Sequence, residues 1–580
     1  MSIPGDLERA RHLALAADET SAKELLLSLM PGIEEANRDD LMLEVLAQLG
    51  ELYLVRTAYE GVREGIRRIR ECLAVYASVL DGTATPDVVD RTTMSTGSIL
   101  HMTCRYGRRA QGLEVGLLAA LGDHEGAAAA LAVLDDMASG EWSAPQYADL
   151  TSEHTYLRTL ARIQCAAALC EDDMHVKSIP LWRSVIEDVD GGSTGEADDN
   201  LFVLGAVGYA RFCIETGRLA EAEPWLQRAG ARAQARGWDL PVSRTKLERA
   251  TVCWARGDQL STERLLMEAY PVIAEYARAH DVSRCWLYFG LTRMGAGALQ
   301  AADESWEHAE RHWRELGRPL HIHRILLQRS WIAIIRGRYQ DAIDMVERAR
   351  ACLDESPRSS WVAYARLDDH LGTVWRSDAL ADLGFDGAGH ADDDWAELEA
   401  RYRASLGATH AEPGSPRFDS AMSKLARAAD LKVPAALAVD SVRYSITDAE
   451  ARAQWAECIS APMLAGAFAV AWESENTELV GELIEYHSAR GTFATAEAAG
   501  DVDWSRVTTA PAPISDLEEL AQVASGPRIE TGPSLTRLGP LPPLAMDPTS
   551  GPVLGRYRRL ALDRYGQHVT TDENAWTTWP

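Results

Sequence analysis

Four histidines are the first candidates for metal chemistry in this sequence. His308 and His312, in the segment HAERH, lie four residues apart and so on one face of a helix, while His321 and His323 begin the next helix just beyond a turn. Two imidazoles at this spacing can hold a zinc ion. The segment lacks the HExxH order, however, and no nearby cysteine completes a ligand set. The sequence therefore favours solvated surface histidines and predicts neither a bound metal nor a cofactor.

Two further patterns have the letters of a catalytic motif. GGSTG at 191–195 matches GxSxG, but that nucleophile elbow needs a buried strand before the serine and a helix after it, whereas the segments on either side are the acidic SVIEDVD and EADDN. In LHMTC, His101 precedes Cys104 by three residues, yet a Cys/His nucleophile pair is arranged by the fold rather than by proximity in sequence. We therefore expect a protein that is not an enzyme.

Three arginines are the best candidates for binding a ligand. Arg244, Arg284 and Arg324 are evenly spaced along the chain. A guanidinium suits a carboxylate or a phosphate because its planar fork donates two parallel hydrogen bonds. Two explanations stay open: the arginines form a cationic edge for a partner, or they pair with carboxylates of neighbouring helices. The carboxylates that we expect nearby are those of Glu263, Glu268, Glu304, Glu307 and Glu310.

The elements that position these arginines repeat with the same period. Glycines end four apolar helical stretches, at Gly217, Gly257, Gly297 and Gly337, and are typical helix stops. Small residues recur seven before, five after and twelve after each glycine, and a large apolar residue recurs nine after it. Two antiparallel helices need this arrangement where their backbones approach closely. The small residues are Ala210, Ala250, Gly290 and Ser330, then Ala222, Thr262, Ala302 and Ala342, then Ala229, Ala269, Ala309 and Ala349, and the large ones are Leu226, Leu266, Trp306 and Val346.

This order of positions resembles the tetratricopeptide repeat, and residues 203–350 carry it as four consecutive copies. The family's unit is about 34 residues, so the longer unit of this sequence implies helices extended by roughly one turn of about 3.6 residues. Weaker copies around Gly122 and Trp182 extend the array upstream. The resemblance implies an all-α fold, a right-handed α-solenoid of antiparallel helix pairs. A Pro-rich C-terminal extension follows, since nine of the 24 prolines fall between Pro511 and Pro552.

The sequence predicts six parts along the chain. They are an N-terminal helical region at 1–110, degenerate helix pairs at 111–200, the four repeats at 201–355, a C-terminal helical region at 356–495, an extended Pro/Gly-rich segment at 496–552 and a terminal helix with a tail at 553–580. The terminal helix, GRYRRLALDRYG, is basic. We expect it either to dock on the acidic body of the protein or to bind a separate acidic partner.

The C-terminal part carries a second resemblance. The segment from WAECISAPMLAG to YHSARGTF, then GPLPPLAMDP and the ending RYRRLALDRYGQHVTTDENAWTTWP, look like the C-terminal region of actinobacterial tetratricopeptide proteins linked to CHAT domains. CHAT domains are caspase-like peptidase modules with a His/Cys dyad, and no stretch of this sequence has the motifs of that dyad. The resemblance implies the sensor or scaffold arm of a CHAT-linked signalling or conflict system.

Composition limits the remaining classes of function. With 58 basic and 87 acidic side chains the net charge is −29, which repels nucleic acid and anionic membranes. No stretch approaches the roughly 18 apolar residues of a membrane span, and the N-terminus lacks the pattern of a signal peptide. Nine cysteines without a CxxC pair fit a reducing compartment. We expect a cytoplasmic protein with no nucleic-acid and no membrane partner, and the sequence leaves its oligomeric state open.

The candidate site follows from the tetratricopeptide resemblance. In that family the first helix of each pair lines a concave groove, so the three arginines would form a row along it, with apolar residues as its floor. The predicted groove comprises Arg244, Arg284, Arg324, Leu247, Leu287, Leu327, Trp254, Met294, Trp331 and Ile334. We expect a scaffold or adaptor that binds a protein or peptide partner, acidic ones included. The alternative is a regulatory protein whose helical array closes around a small molecule, with an apolar pocket near Trp254, Trp286 and Trp331.

Overall fold

The computed structural model describes residues 2–92, 94–137, 148–191, 195–356, 359–384, 412–446, 452–453, 455–488 and 553–569. Within these residues every regular element is a helix, so the predicted all-α class is confirmed. None of the described helices is both long and apolar enough to cross a membrane. The GxSxG serine, the predicted Pro/Gly-rich segment and the tail after residue 569 lie outside the described residues.

The chain divides into two compact units. The first comprises Met1–Ile325 with Ser356–Ser360, and the second comprises Leu326–Glu355 with Trp361–Pro580. The helices of the first unit are α1 (Ile3–Leu15), α2 (Glu19–Glu35), α3 (Asp39–Val55), α4 (Tyr59–Leu80), α5 (Pro86–Arg91), α6 (Thr96–Leu121), α7 (His124–Asp136), α8 (Ala148–Glu171), α9 (His175–Val189), α10 (Glu196–Glu215), α11 (Leu219–Ala235), α12 (Asp239–Ala255), α13 (Gln259–Glu275), α14 (Ala279–Gly295) and α15 (Leu299–Glu315).

Helix α16 (Pro319–Ile335) begins in the first unit and ends in the second. The second unit continues with α17 (Tyr339–Glu355), α18 (Trp361–Asp382), α19 (Pro416–Ser441), α20 (Ala461–Glu473), α21 (Thr477–Ser488) and α22 (Gly555–Tyr565). A short 3-10 helix, Val442–Ser445, and a π-helix, Ala456–Ser460, lie between α19 and α20.

The helices from α11 to α17 follow one constant register. Each is 17 residues long and is separated from the next by a three-residue turn. The predicted helix stops are confirmed, because Gly217, Gly257, Gly297 and Gly337 have φ of +85°, +79°, +77° and +65°. This left-handed conformation favours glycine, which has no Cβ to clash with the backbone. From α12 onward one repeat is therefore two helices of equal length, whereas α10 in the first repeat has 20 residues.

The same register is present at the N-terminus, where no glycine marks it. Ala17, Asn37 and Thr57 take the left-handed conformation, with φ of 66°, 52° and 57°. Helices α2, α3 and α4 begin two residues after them. The sequence predicts helices in this region but not their register, because no glycine marks the helix ends here.

The recurring small residues lie where helices pack against each other in pairs, α10 with α11, α12 with α13 and α14 with α15. Of the twelve small positions, all but Gly290 have no exposed surface, and Gly290 is buried too. A Cβ on Gly290 would lie 2.2 Å from Nε1 of Trp306, which donates a hydrogen bond of 3.1 Å to the carbonyl oxygen of Leu287. The helix pair therefore requires small residues at these positions.

The basic terminal helix α22 packs against α19 of the second unit. Arg556 donates a hydrogen bond of 2.7 Å to the carboxylate of Asp430, and Arg564 donates one of 2.6 Å to the same residue's carbonyl oxygen. The hydroxyl of Tyr565 donates to the carboxylate of Asp368 over 2.6 Å. Of the two arrangements that the sequence left open for this helix, the structure therefore has the docked one.

Candidate functional site

Each of the three predicted arginines contacts a carboxylate of the first unit. Nε of Arg244 donates to Asp281 over 2.7 Å, and Arg284 donates through both of its terminal nitrogens to Glu248. Because Arg244 and Glu248 lie on α12 while Asp281 and Arg284 lie on α14, these two ion pairs join the first helices of adjacent repeats. The structure therefore contains ion pairs between repeats, which is one of the two explanations that the sequence left open. Their carboxylates belong to the first helices of the repeats, however, and not to the second helices as we expected.

Arg324 reaches a distant part of the chain. Its Nη2 lies 3.4 Å from Oδ1 of Asp173 and 3.5 Å from the carbonyl oxygen of Glu171. Both residues belong to the end of α8 and the turn that follows it, and Asp173 has a positive φ of 59° in that turn. The third arginine thus connects the start of α16 to a turn 151 residues earlier in the sequence.

Guanidiniums concentrate around two histidines near these ion pairs. The rings of His280 and His321 are 5.3 Å apart, and both contact the indole of Trp313, at 4.8 and 4.0 Å. Burial, and then the nearby arginines, hold the pKa of His280 well below its usual value; burial, then His280 and the arginines, do the same for the pKa of His321. We name the arginines that act on these two histidines the arginine cluster: Arg211, Arg244, Arg284, Arg318 and Arg324.

The arginine cluster is a local concentration of guanidiniums, in contrast to the acidic average of the chain. Burial is the largest cause of the lowered pKa of both histidines, and the guanidiniums add to it because they disfavour a further positive charge. The carboxylates of Asp281, Glu248 and Asp173 contact three of the five guanidiniums, those of Arg244, Arg284 and Arg324. An anion is the ligand that such a region favours.

The other three candidate histidines, His308, His312 and His323, each have different neighbours. The ring of His308 stacks on Trp286 at 4.8 Å, His312 lies 3.9 Å from the carboxylate of Glu315, and His323 is buried. In the described residues, none of these histidines belongs to a group of three potential metal ligands whose ligand atoms lie within 4.8 Å of one another.

The apolar residues of the predicted groove fall into two classes. Leu247 is fully buried in a core with Leu266 and Phe289, and Ile334 is buried as well, so both contribute to helix packing and cannot contact a partner in this conformation. The others are half-buried: Leu287, Leu327, Trp254, Met294 and Trp331. The ring of Trp331 contacts His370 at 5.0 Å in the second unit.

The N-terminal helices contact the repeats of the first unit, which the sequence did not predict. Glu19, at the start of α2, is buried and forms ion pairs with Arg278 and, over 3.2 Å, with Arg56. Ala17 packs against the core that contains Leu240. These contacts bring residues 259 positions apart in sequence together.

The fold also brings together a group of potential metal ligands that the sequence did not predict. The ligand atoms of Cys170, His175 and Glu215 all lie within 4.8 Å of one another. The cysteine and the histidine are separated by four residues across the turn from α8 to α9, and this short C-x4-H spacing is the only signal for the group in the sequence. Glu215 lies far beyond them in the sequence, at the end of α10, and is supplied by the fold.

Comparisons with known proteins do not assign the chain to a family. The sequence matches no protein-family model, and a search of curated proteins gives no significant match.

Proposed function

We propose that the first unit is a helical-repeat scaffold of the tetratricopeptide type that binds an acidic segment of a protein or peptide at the arginine cluster. The concentration of five guanidiniums around the neighbouring rings of His280 and His321 carries this proposal. In a chain of net charge −29, a local positive region attracts acidic ligands selectively. The register of helix pairs with small contact residues supports the right-handed solenoid that the tetratricopeptide resemblance implies.

Binding would proceed by exchange of carboxylates. The contact of Arg324 with Asp173 is the longest of the three, at 3.4 Å, and the arginine side chain is 42% exposed. A carboxylate of the partner would replace Asp173 and accept two parallel hydrogen bonds from the guanidinium. Half-buried Trp254 and Met294 would receive apolar side chains of the partner. The ligand class is therefore a peptide in which carboxylates alternate with apolar residues.

The test compares two charge-matched variants of the full chain. In one, Arg244→Ala and Arg324→Ala remove two guanidiniums of the arginine cluster, and Asp281 keeps Arg284 and Arg211 as neighbouring charges. In the control, Arg63→Ala and Arg264→Ala remove two exposed arginines that pair with exposed glutamates. Arg284 is left in place because its partner Glu248 is buried.

The expected result is a selective loss of binding. Tagged wild-type protein and the control variant capture the same acidic proteins from a lysate and the same acidic–apolar peptides from a peptide array, whereas the cluster variant captures neither. Circular dichroism shows equal helix content for all three. Equal capture by the cluster variant and the control would refute the proposed site.

The second candidate is a regulatory protein that holds a small anion. The contacts of Arg324 with Asp173 and of Arg278 with Glu19 join parts of the first unit that are 151 and 259 residues apart. Such contacts favour an array that encloses its ligand. Dicarboxylates and phosphate esters tested one by one should then raise the melting temperature, because a ligand of the native state stabilises it by RT ln(1 + [L]/Kd). The same shift should be absent from the Arg244→Ala/Arg324→Ala variant.

A cytoplasmic, non-catalytic role as the sensor arm of a CHAT-linked system stays a prediction. It rests on the C-terminal resemblance and on composition. Identification of a caspase-like peptidase among the captured proteins would support it.

A further inference from the structure

Three potential metal ligands meet where three consecutive helices of the first unit come together. Cys170 is the second-last residue of α8, His175 is the first residue of α9 and Glu215 is the last residue of α10. Nε2 of His175 lies 3.0 Å from Oε2 of Glu215. The sulfur of Cys170 lies within 4.8 Å of a ring nitrogen of His175 and of a carboxylate oxygen of Glu215. In tetrahedral zinc sites the bond lengths of about 2.0 to 2.3 Å separate ligand atoms by roughly 3.3 to 3.6 Å. Small side-chain movements would therefore bring the three atoms to coordination distance.

We propose that Cys170, His175 and Glu215 bind a zinc ion. A thiolate, an imidazole and a carboxylate are the three ligand types that zinc accepts in proteins. Magnesium and calcium prefer oxygen ligands, so one oxygen donor beside sulfur and nitrogen excludes them as the natural occupants. Three protein ligands leave the fourth position of the tetrahedron for a water molecule or a ligand.

A serine and a tryptophan side chain adjoin the sulfur. Oγ of Ser178 lies 3.4 Å from Sγ of Cys170, and Ser178 is fully buried. The indole N–H of Trp182 is also buried, and among the described residues it has no partner at normal hydrogen-bonding geometry. Burial and the Glu215 carboxylate raise the pKa of the Cys170 thiol to about 12, while Ser178 and Trp182 act in the opposite direction. The hydroxyl of Ser178 donates its one proton to the carbonyl oxygen of His175 over 2.8 Å, so the protonated thiol of Cys170 is the donor in its contact with Ser178. Among the described residues, the buried indole N–H of Trp182 is the donor that a metal-bound thiolate would use as an outer-shell partner.

Zinc also resolves the charge balance of the group. Without the metal, the thiol is protonated and Glu215 is held as a carboxylate: burial opposes its ionisation, but the hydrogen bond and charge of His175, then Arg211 and Arg324, lower its pKa. On binding, zinc displaces the thiol proton to solvent. Nε2 of His175 also gives up the proton that it donates to Glu215, to solvent or to Nδ1 by tautomerisation, and then supplies its lone pair to the metal. The doubly charged cation is then matched by one thiolate and one carboxylate, so no net charge is left in the buried site.

The experiment titrates the chelator-treated full-length protein with cobalt and then with zinc. Cobalt bound by a thiolate gives a charge-transfer absorption in the near ultraviolet, which zinc should abolish by displacing the cobalt. A coloured zinc chelator competing with the protein gives the zinc affinity. Wild-type protein is expected to show the absorption and to bind one equivalent of zinc at this site.

Matched variants assign the metal to the three side chains. Cys170→Ser should remove the cobalt absorption, and His175→Gln and Glu215→Gln should each weaken zinc binding at least about tenfold. The control is Cys165→Ser, on the same helix and as buried as Cys170, which should keep both the absorption and the affinity. Circular dichroism identifies any variant that fails to fold. Glu215→Gln should fold most readily of the three, because the side chain of Glu215 is only partly buried. Absence of the absorption in wild-type protein, or its persistence in Cys170→Ser, would overturn the proposal.

Discussion

The ion pair of Arg284 with Glu248 is more buried than the contacts of Arg244 and Arg324. Their side chains are 11% and 4% exposed, and two N–H groups of the guanidinium meet the two carboxylate oxygens. Burial alone would lower the pKa of Arg284, but the Glu248 carboxylate raises it above its ordinary value. The arginine therefore remains charged, and its charge compensates a carboxylate that is out of contact with water.

Removing this arginine should destabilise the protein strongly. Arg284→Ala leaves Glu248 buried without its main partner, which costs about 3 to 5 kcal/mol. Arg264→Ala removes an exposed pair with Glu268 and should cost less than about 1 kcal/mol. Thermal unfolding followed by circular dichroism measures both. In the double variant Arg284→Met/Glu248→Leu most of the lost stability should return, because no unpaired charge is then buried; equal melting temperatures for Arg284→Ala and Arg264→Ala would contradict this account.

The helix pairs show which part of the fold a sequence reveals. Glycines at fixed spacing predict the stops of α10, α12, α14 and α16, because the left-handed conformation selects glycine. At Ala17, Asn37 and Thr57 the same conformation is adopted by residues with a Cβ. Of these three residues only Asn37 is of a type that favours this conformation, so no regularly spaced residue type marks the turns. The same limit hides the register of α1 to α4.

The contact between α14 and α15 gives a test of the packing requirement. In Gly290→Ala the new Cβ would lie 2.2 Å from Nε1 of the fully buried Trp306, so either the indole or the two helices must shift. Overpacking of this kind costs about 1 to 3 kcal/mol. The matched control is Gly32→Ala in α2, where nothing lies within 4 Å of the new Cβ. That change should stabilise the protein by about 0.5 to 1 kcal/mol, because alanine is the better helix former.

The same substitution, glycine to alanine, is therefore expected to lower the melting temperature in α14 and to raise it in α2. A fall for Gly32→Ala as large as that for Gly290→Ala would show that loss of glycine itself, and not the contact with Trp306, is responsible.

For the first unit as a whole, contacts between distant segments decide what the sequence can predict about the site. The period of Arg244, Arg284 and Arg324 is visible in the sequence because it is local to the repeat. Their partners are not, since Asp173 precedes Arg324 by 151 residues and no spacing rule connects them. The group of Cys170, His175 and Glu215 is hidden for the same reason, because it combines two residues at one turn with a third from the next repeat.

The ion pair of Glu19 with Arg278 is the clearest test of these distant contacts. Glu19→Ala leaves Arg278, a buried side chain, without the carboxylate that opposes the lowering of its pKa by burial. The loss should be about 3 to 5 kcal/mol, and the turn between α1 and α2 should separate from the starts of α12 and α14. Hydrogen exchange measured by mass spectrometry should then accelerate in both places. Glu8→Ala, an exposed glutamate on α1, serves as the control and should leave exchange unchanged at residues 236–242 and 276–282. If exchange in Glu19→Ala accelerates only within α2, the ion pair of Glu19 with Arg278 does not hold α2 against the start of α14. The model of an array that closes around its ligand then loses one of the two distant contacts on which it depends.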